Sequence, residues 1–375
     1  MTSFNVAQSA LLKKVEEFAA SHIRPRRQEL ITATTFPKDM WQAFASSGLA
    51  GLSIPEKFAG LGANYSFLSA AAQCLSREGG VPGATMVFMS HWLISRLHIA
   101  SDAPEKMKHL LLPALAKGEI TISVAISEPG AGAHPKFLKT TARREGKNYV
   151  LTGEKAYLTN GPIADCFIIV AITDETDGKK AFSAILVPAD NEGLKRTGGV
   201  NIDFLHPCPH GGIRLTDCRV SKENLIGKAG EAFARTSMRM RAIEDAVGAG
   251  SMVGSMQCLL NDLAQIAPEE KALEIGAIGA QIKLLEIGAA HLSNMADKEN
   301  DGLAPMMEMQ LGFHQQCQNI SKAFAALIEE LPSPLQIKSE RLNRDISKSL
   351  TIARSAHAVR LTKIGHSIQK LSQSL

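Results

Sequence analysis

No stretch of the sequence approaches the roughly 18 consecutive apolar residues needed to cross a bilayer, so no membrane-spanning helix is expected. An excess of one charge is also missing. The 41 Lys and Arg stand against 37 Asp and Glu with the signs interspersed, which gives little reason to expect nucleic acid as the main ligand. The six cysteines (Cys74, Cys166, Cys208, Cys218, Cys258 and Cys317) lack the dense spacing of a secreted disulfide scaffold and point to a reducing compartment. The segment Ala7 to Arg27 has neither an uninterrupted apolar run nor a small-residue cleavage site, and reads as a mature cytoplasmic N-terminus. Internal repeats and low-complexity tracts are absent. What remains, with 45% apolar and 21% charged residues over 375 positions, is a globular chain of two or three domains. A chain of this size buries about 75% of its unfolded surface without needing disulfides or a structural metal.

Three textures follow one another. Residues 1–118 read as an N-terminal α-helical domain, with helical spacing over Ala7 to Arg27, Pro37 to Ser47, Ser66 to Arg77, Ala84 to His98 and Pro104 to Lys117. Residues 119–230 carry short β-branched, alternating runs separated by turn residues: Ile120 to Ile126, Lys139 to Glu145, Tyr149 to Thr152, Cys166 to Thr173, Phe182 to Val187 and Gly212 to Val220. They predict an antiparallel β-domain. Residues 231–375 return to helix over Glu231 to Ala264, Glu269 to Ala296, Ala304 to Glu330 and Ser339 to Leu371, a C-terminal bundle. The fold class expected is therefore α+β and multidomain.

Four segments could carry chemistry. Ser127-Glu128-Pro129-Gly130-Ala131-Gly132-Ala133-His134 leaves a predicted strand into a glycine-rich turn, where backbone N–H groups can approach an anion or a ring edge. Tyr157-Leu158-Thr159-Asn160-Gly161 places a hydroxyl and an amide between two strands; taken singly, each of the two segments reads first as an ordinary turn. His206-Pro207-Cys208-Pro209-His210, with Cys218, has the residue types of a zinc site but no standard spacing, and its prolines suggest a rigid exposed loop, so no metal is expected there. Glu244-Asp245 opens an apolar, small-residue helix containing Gly248, Gly250 and Gly254. A carboxylate there is either a base with its pKa raised by desolvation or a solvated helix-end charge.

Together these segments resemble the acyl-CoA dehydrogenase family. The likeness runs from Phe36-Pro37 and Trp41 through Ile54-Pro55-Glu56 and Gly60-Leu61-Gly62 to Ser127-Glu128-Pro129-Gly130-Ala131-Gly132 and Leu151-Thr152-Gly153-Glu154-Lys155 with Leu158-Thr159-Asn160-Gly161. It implies two helical domains flanking a β-domain, with FAD held between the β-domain and the C-terminal bundle. By resemblance Ser127, Gly132, Tyr157, Leu158 and Thr159 contact the flavin, Tyr157 standing where the family usually has Trp. Ala133 and Asp245 fall, by the same resemblance, at substrate-binding positions. The implied reaction is α,β-dehydrogenation of an acyl-CoA thioester, a glutamate taking the α-proton while hydride leaves for the flavin. After Arg344-Asp345 the family's usual glutamate position holds Ala353, as in the isovaleryl-CoA dehydrogenase branch, and Glu244 lines up with the base of that branch. The resemblance also implies an electron-transfer flavoprotein as electron acceptor and assembly as a homodimer or homotetramer through the C-terminal helices.

The sequence departs from the pattern at four places. Ala133-His134 replaces Ser-Asp, Asp245 replaces an arginine after the base, and the segments that clasp the adenosine of FAD across a subunit interface are missing between Leu260 and Lys271 and between Ala325 and Pro334. These departures also fit a non-catalytic or repurposed relative with weak FAD binding, and the fold alone also fits oxidase or monooxygenase chemistry. The packing of the N-terminal helices around Met86, Phe88, Met89, His91 and Trp92 would set pocket depth, although apolar residues at such positions read first as core.

Overall fold

The structure, a computed structural model, describes residues 4–298, 303–331, 333–352 and 354–373. Helix α1 (Val6–Phe18) is opened by a reciprocal cap: Asn5 accepts the Gln8 N–H at 2.8 Å, and the Gln8 side chain accepts the Asn5 N–H at 3.1 Å. A single-turn α2 (Arg27–Leu30) leads to α3 (Lys38–Ser46), α4 (Tyr65–Gly79), α5 (Pro82–Ile94) and α6 (Glu105–Ala116). Helix α5 begins on proline, whose missing N–H costs nothing in the first turn. It is buried all round except at Met86, which is why it lacks an amphipathic stripe, and it continues through a π-helical turn, Ser95–Ala100.

The central sheet has eight strands: β1 (Ile122–Ala125), β2 (Thr141–Glu145), β3 (Asn148–Thr159), β4 (Cys166–Thr176), β5 (Lys179–Pro188), β6 (Leu194–Thr197), β7 (His210–Ser221) and β8 (Leu225–Ile226). Their order is β6-β7-β3-β2-β4-β5-β8, with β1 also paired to β4. The sheet is mixed rather than wholly antiparallel, because β1 and β2 each meet β4 in parallel. Strand β3 runs on through Tyr157, Leu158 and Thr159, so these residues end a strand instead of forming a separate turn. The register with β7 slips between Lys155 and Leu158, a bulge that puts Tyr157 at φ +61°.

A π-helical turn, Phe233–Met238, leads into α7 (Arg239–Ala264), followed by α8 (Ala272–Asp297), α9 (Ala304–Glu329), α10 (Ser333–Ser349) and α11 (Arg354–Gln373). The single run expected from Ser339 is thus two helices broken near Thr351. No glycine or proline marks that break in the sequence, so the helical periodicity reads through it.

Helix α7 lies directly on α4. A Cβ built on Gly250 would stand 2.1 Å from the Ser69 carbonyl oxygen, and one on Gly254 would stand 2.2 Å from that of Gln73. These two glycines let the backbones touch, joining the N-terminal helices and α7 to α10 in one apolar core. Two further clusters pack between the sheet and α6 and on the sheet's opposite face. Gly254→Ala is expected to destabilise the protein by about 1–3 kcal/mol through overpacking. Gly312→Ala, where a Cβ on α9 meets no atom within 4 Å, should stabilise it by about 0.5–1 kcal/mol. Thermal unfolding of both variants checks the contrast.

Candidate active site

A cavity of about 210 Å³ opens between α5, α7, α9, α10 and the start of α11. One face of α7 supplies Arg241, Glu244, Asp245, Gly248 and Met252 at helical spacing, opposite the face that carries Gly250 and Gly254. Met86 and Met89 of α5 face them across the cavity, while Phe88 and Trp92 are buried in the core and the His91 imidazole Nε2 lies 3.1 Å from the Leu115 carbonyl. Of these five residues, which the sequence reads first as core, the two methionines line the cavity.

Glu244 projects into this largely apolar space. Burial pushes its carboxyl above the ordinary glutamate value and the neighbouring Asp245 adds to the rise, while Arg241 opposes it. The Arg241 Nε–H donates to Asp245 Oδ2 at 3.0 Å, one helical turn apart. The chain thus keeps a guanidinium near Glu244, but supplies it from the turn before that residue. The i, i+4 spacing of Arg241 and Asp245 carried that signal in the sequence. Ala353 lies outside the described residues.

The two β-domain segments come together at a buried ion pair that sequence reasoning had not singled out. Lys155 Nζ donates to Glu128 Oε1 and to the Ile126 carbonyl, each at 2.9 Å. The Glu128 carboxylate also accepts the Lys139 N–H at 2.7 Å and the Thr140 N–H at 2.9 Å. Burial alone would raise the Glu128 pKa, but the Lys155 ammonium and these donors hold it below the ordinary value; burial pulls Lys155 down to about 8. The Ala156 N–H, freed by the bulge, donates to the Ser127 carbonyl at 2.9 Å. Ser127, Gly132 and Thr159 are half-buried, Leu158 is buried, and Tyr157 and Ala133 are exposed. Neither the Ser127 nor the Thr159 hydroxyl is engaged in a hydrogen bond among the described residues, and a Cβ on Gly130 or Gly132 would meet nothing within 4 Å.

None of these β-domain residues lines the cavity, whereas Glu244 and Asp245 do. The link between the two places is α5: the Asn160 side chain, just past β3, donates to the Val87 carbonyl at 3.0 Å, one residue from Met86. The loop from Leu205 to Pro209 is not exposed as expected. Leu205, Pro207, Cys208 and Pro209 are buried, and Leu205 lines the cavity. Of its metal-ligand residue types only Cys208 and His210 meet, Sγ to Nε2 at 4.0 Å, while His206 Nδ1 lies 2.9 Å from the Ala33 carbonyl and the Cys218 thiol donates to Asn191 at 3.1 Å. Among the described residues no three such groups gather.

Lys155→Met, which leaves the Glu128 charge buried without its partner, is expected to cost about 3–5 kcal/mol of stability, whereas the double variant Lys155→Met/Glu128→Leu should recover part of that loss. Chemical denaturation of the single and double variants measures the difference.

The chain matches the acyl-CoA dehydrogenase N-terminal domain over residues 5–119 and the middle domain of the same family over residues 123–218. A 3-(aryl)acrylate reductase of Clostridium sporogenes is 27% identical over 363 residues, 92% of this chain and 94% of that protein. A mitochondrial isovaleryl-CoA dehydrogenase of Solanum tuberosum is 29% identical over 260 residues, 69% of this chain and 62% of that protein. The chain therefore spans less than two thirds of that relative's length. The butyryl-CoA dehydrogenase of Megasphaera elsdenii, at 19% identity, superposes with a TM-score of 0.81 over 98% of this chain and 100% of that one, and so has the same fold. Two helical parts around a mixed sheet, the paired β-domain motifs and both domain matches lead to one assignment: the chain belongs to the acyl-CoA dehydrogenase family of flavin oxidoreductases.

Proposed function

We propose that the protein catalyses FAD-dependent α,β-dehydrogenation of an acyl-CoA thioester, with Glu244 as the base. The observation that carries this reading is a carboxyl group set in an apolar cavity and pushed up by burial. The carboxylate removes a proton from the substrate α-carbon, and the same burial stabilises the neutral acid that results. Arg241 acts against full neutralisation beforehand, keeping Glu244 available as a base, and Asp245 holds Arg241 in place. Run in reverse, protonated Glu244 returns the proton to the α-carbon of an α,β-unsaturated thioester. This reverse direction is the second reading, supported by the likeness to a protein whose name describes reduction of an arylacrylate.

The β-domain residues fit the ring end of FAD. The free hydroxyls of Ser127 and Thr159 and the open space over Gly130 and Gly132 offer donors and room beside Tyr157 and Leu158. Bound there, the flavin supplies the hydride acceptor. The segments that by resemblance would clasp the adenosine are missing between Leu260 and Lys271 and between Ala325 and Pro334, so in this reading the chain holds that half of the cofactor differently. Electrons then pass to an electron-transfer flavoprotein. Ala133 lies on the exposed rim of the β-domain turn and Asp245 on the cavity wall, so we assign substrate contact to Asp245. The six free, scattered cysteines support a reducing, cytoplasmic setting.

Assembly as a homodimer is supported by α8. Its exposed residues Leu273, Ala277, Ala280, Leu284, Ile287 and His291 alternate at spacings of four and three, the pattern of a helix–helix seam. Leu273, Leu284 and Ile287 are 82%, 67% and 54% exposed, too much apolar surface in one stripe for a free helix. Under a two-fold axis at residue 282, Leu273 meets His291, Ala277 meets Ile287 and Ala280 meets Leu284. In two of the three pairs a small side chain opposes a large one, and Glu274 faces Ala290 and Lys283 faces Gln281, so no like charges meet.

Glu244→Gln is expected to lower dye-coupled oxidation of acyl-CoA thioesters by at least about 10²-fold, the scale of a lost general base. The wild-type rate should rise with pH along a limb placed above the ordinary glutamate value, because only the ionised carboxylate accepts the α-proton; steady-state pH profiles test both. Leu284→Glu should convert the dimer to a folded monomer, read by analytical ultracentrifugation.

A further inference from the structure

The cavity that holds Glu244 has a polar corner that α,β-dehydrogenation does not use. Arg360 and His357 sit three residues apart on one face of α11, and both line the cavity with His314 of α9. The two imidazole rings lie 4.5 Å apart, edge to face at 78°. Among the described residues Arg360 makes no ion pair or hydrogen bond, and the buried His357 Nδ1 has no hydrogen-bond partner. The remaining charges nearby are accounted for. Arg241 is bonded to Asp245, Glu244 belongs to the proposed chemistry, and Asp345 accepts the Leu205 N–H at 3.2 Å. An unmatched guanidinium and an orphaned imidazole nitrogen in one partly closed space are a donor set without its acceptor.

We propose that this corner is an anion subsite that takes a carboxylate or phosphate group of the substrate, held by the Arg360 guanidinium and by an N–H donated from His357 Nδ1. The inference rests on the reading that a thioester occupies the cavity, and it adds a substrate class: the bound molecule presents a negative group inside the cavity as well as a reactive α-carbon. Burial lowers the pKa of both His314 and His357, so at neutral pH they act as uncharged hydrogen-bonding groups and Arg360 supplies the charge. The anion has two available sources, a carboxylate at the far end of a dicarboxylic acyl group or a phosphate of the carrier. A guanidinium suits either, because its fork matches two oxygens.

The test is isothermal titration of the full-length protein, carrying Glu244→Gln to stop turnover, with glutaryl-CoA, pentanoyl-CoA and the pentanoyl thioester of unphosphorylated pantetheine. The expected result is that glutaryl-CoA binds at least about tenfold more tightly than pentanoyl-CoA, as a charge-assisted bond requires. Arg360→Met should abolish that preference and Arg360→Lys should retain part of it, which separates charge from packing. If Arg360→Met instead weakens both CoA esters tenfold and spares the pantetheine thioester, the subsite stands and its ligand is the carrier phosphate. If all three affinities stay within twofold in Arg360→Met, the subsite is overturned. If no thioester binds, the melting temperature in millimolar glutarate or inorganic phosphate decides. A rise in the parent that is absent in Arg360→Met keeps the subsite and overturns the thioester reading, and no rise overturns both.

Discussion

The backbone contact between α7 and α4 is the constraint on which the rest depends. Gly250 and Gly254 bring α7 against the carbonyls of Ser69 and Gln73, closer than any side chain would allow. A helix is a rigid rod at this scale, so fixing one face fixes the other. The opposite face of α7 carries Arg241, Glu244, Gly248 and Met252, and it is thereby held at a set distance from Met86 and Met89 on α5. Helix α5 in turn is tied to the end of β3 by Asn160. One close contact between two helices therefore sets the spacing between the carboxyl group and the β-domain motifs.

Two of the buried charge sites differ in how their charge is met. At Glu128 and Lys155 the charges neutralise each other, and the carboxylate is saturated by backbone N–H groups, so the pair is suited to holding two segments in register. At Glu244 the charge is left incompletely compensated: burial and Asp245 press it toward the neutral acid, and Arg241 presses it toward the anion. A buried carboxyl with a raised pKa beside a specific charge partner is the pattern expected of a candidate base rather than of a structural carboxylate.

Much of this was legible in the sequence. The helix, strand, helix order followed from periodicity, and Gly248, Gly250 and Gly254 marked a face of close approach, with Gly250 and Gly254 meeting α4 and Gly248 facing the cavity. Other features were not readable, for specific reasons. Strands β6 and β8 are short edge strands, one largely polar and the other two residues long, with too few positions for a period of two to show. The Leu205 to Pro209 loop looks like surface because prolines usually lie there, yet it is covered by α5, whose Gly83 leaves room for the Leu205 carbonyl. The Glu128–Lys155 pair joins residues 27 apart in the chain, and only the folded sheet shows that they meet. The unmatched Arg360 could not be seen at all without knowing which acids lie within its reach.

The family assignment leaves cofactor retention as the property on which the proposed chemistry turns, since the flavin ring is proposed to lie beside Ser127 and Thr159 while the sequence lacks the segments that by resemblance would clasp the adenosine. The most direct measurement is the visible absorption spectrum of the purified protein after incubation with FAD and removal of the excess. A flavin spectrum retained at close to one per chain, and bleached under anaerobic conditions by an acyl-CoA thioester, is the result this account predicts. A colourless protein that gains no thermal stability in excess FAD would contradict it, because a ligand bound only by the native state must stabilise that state.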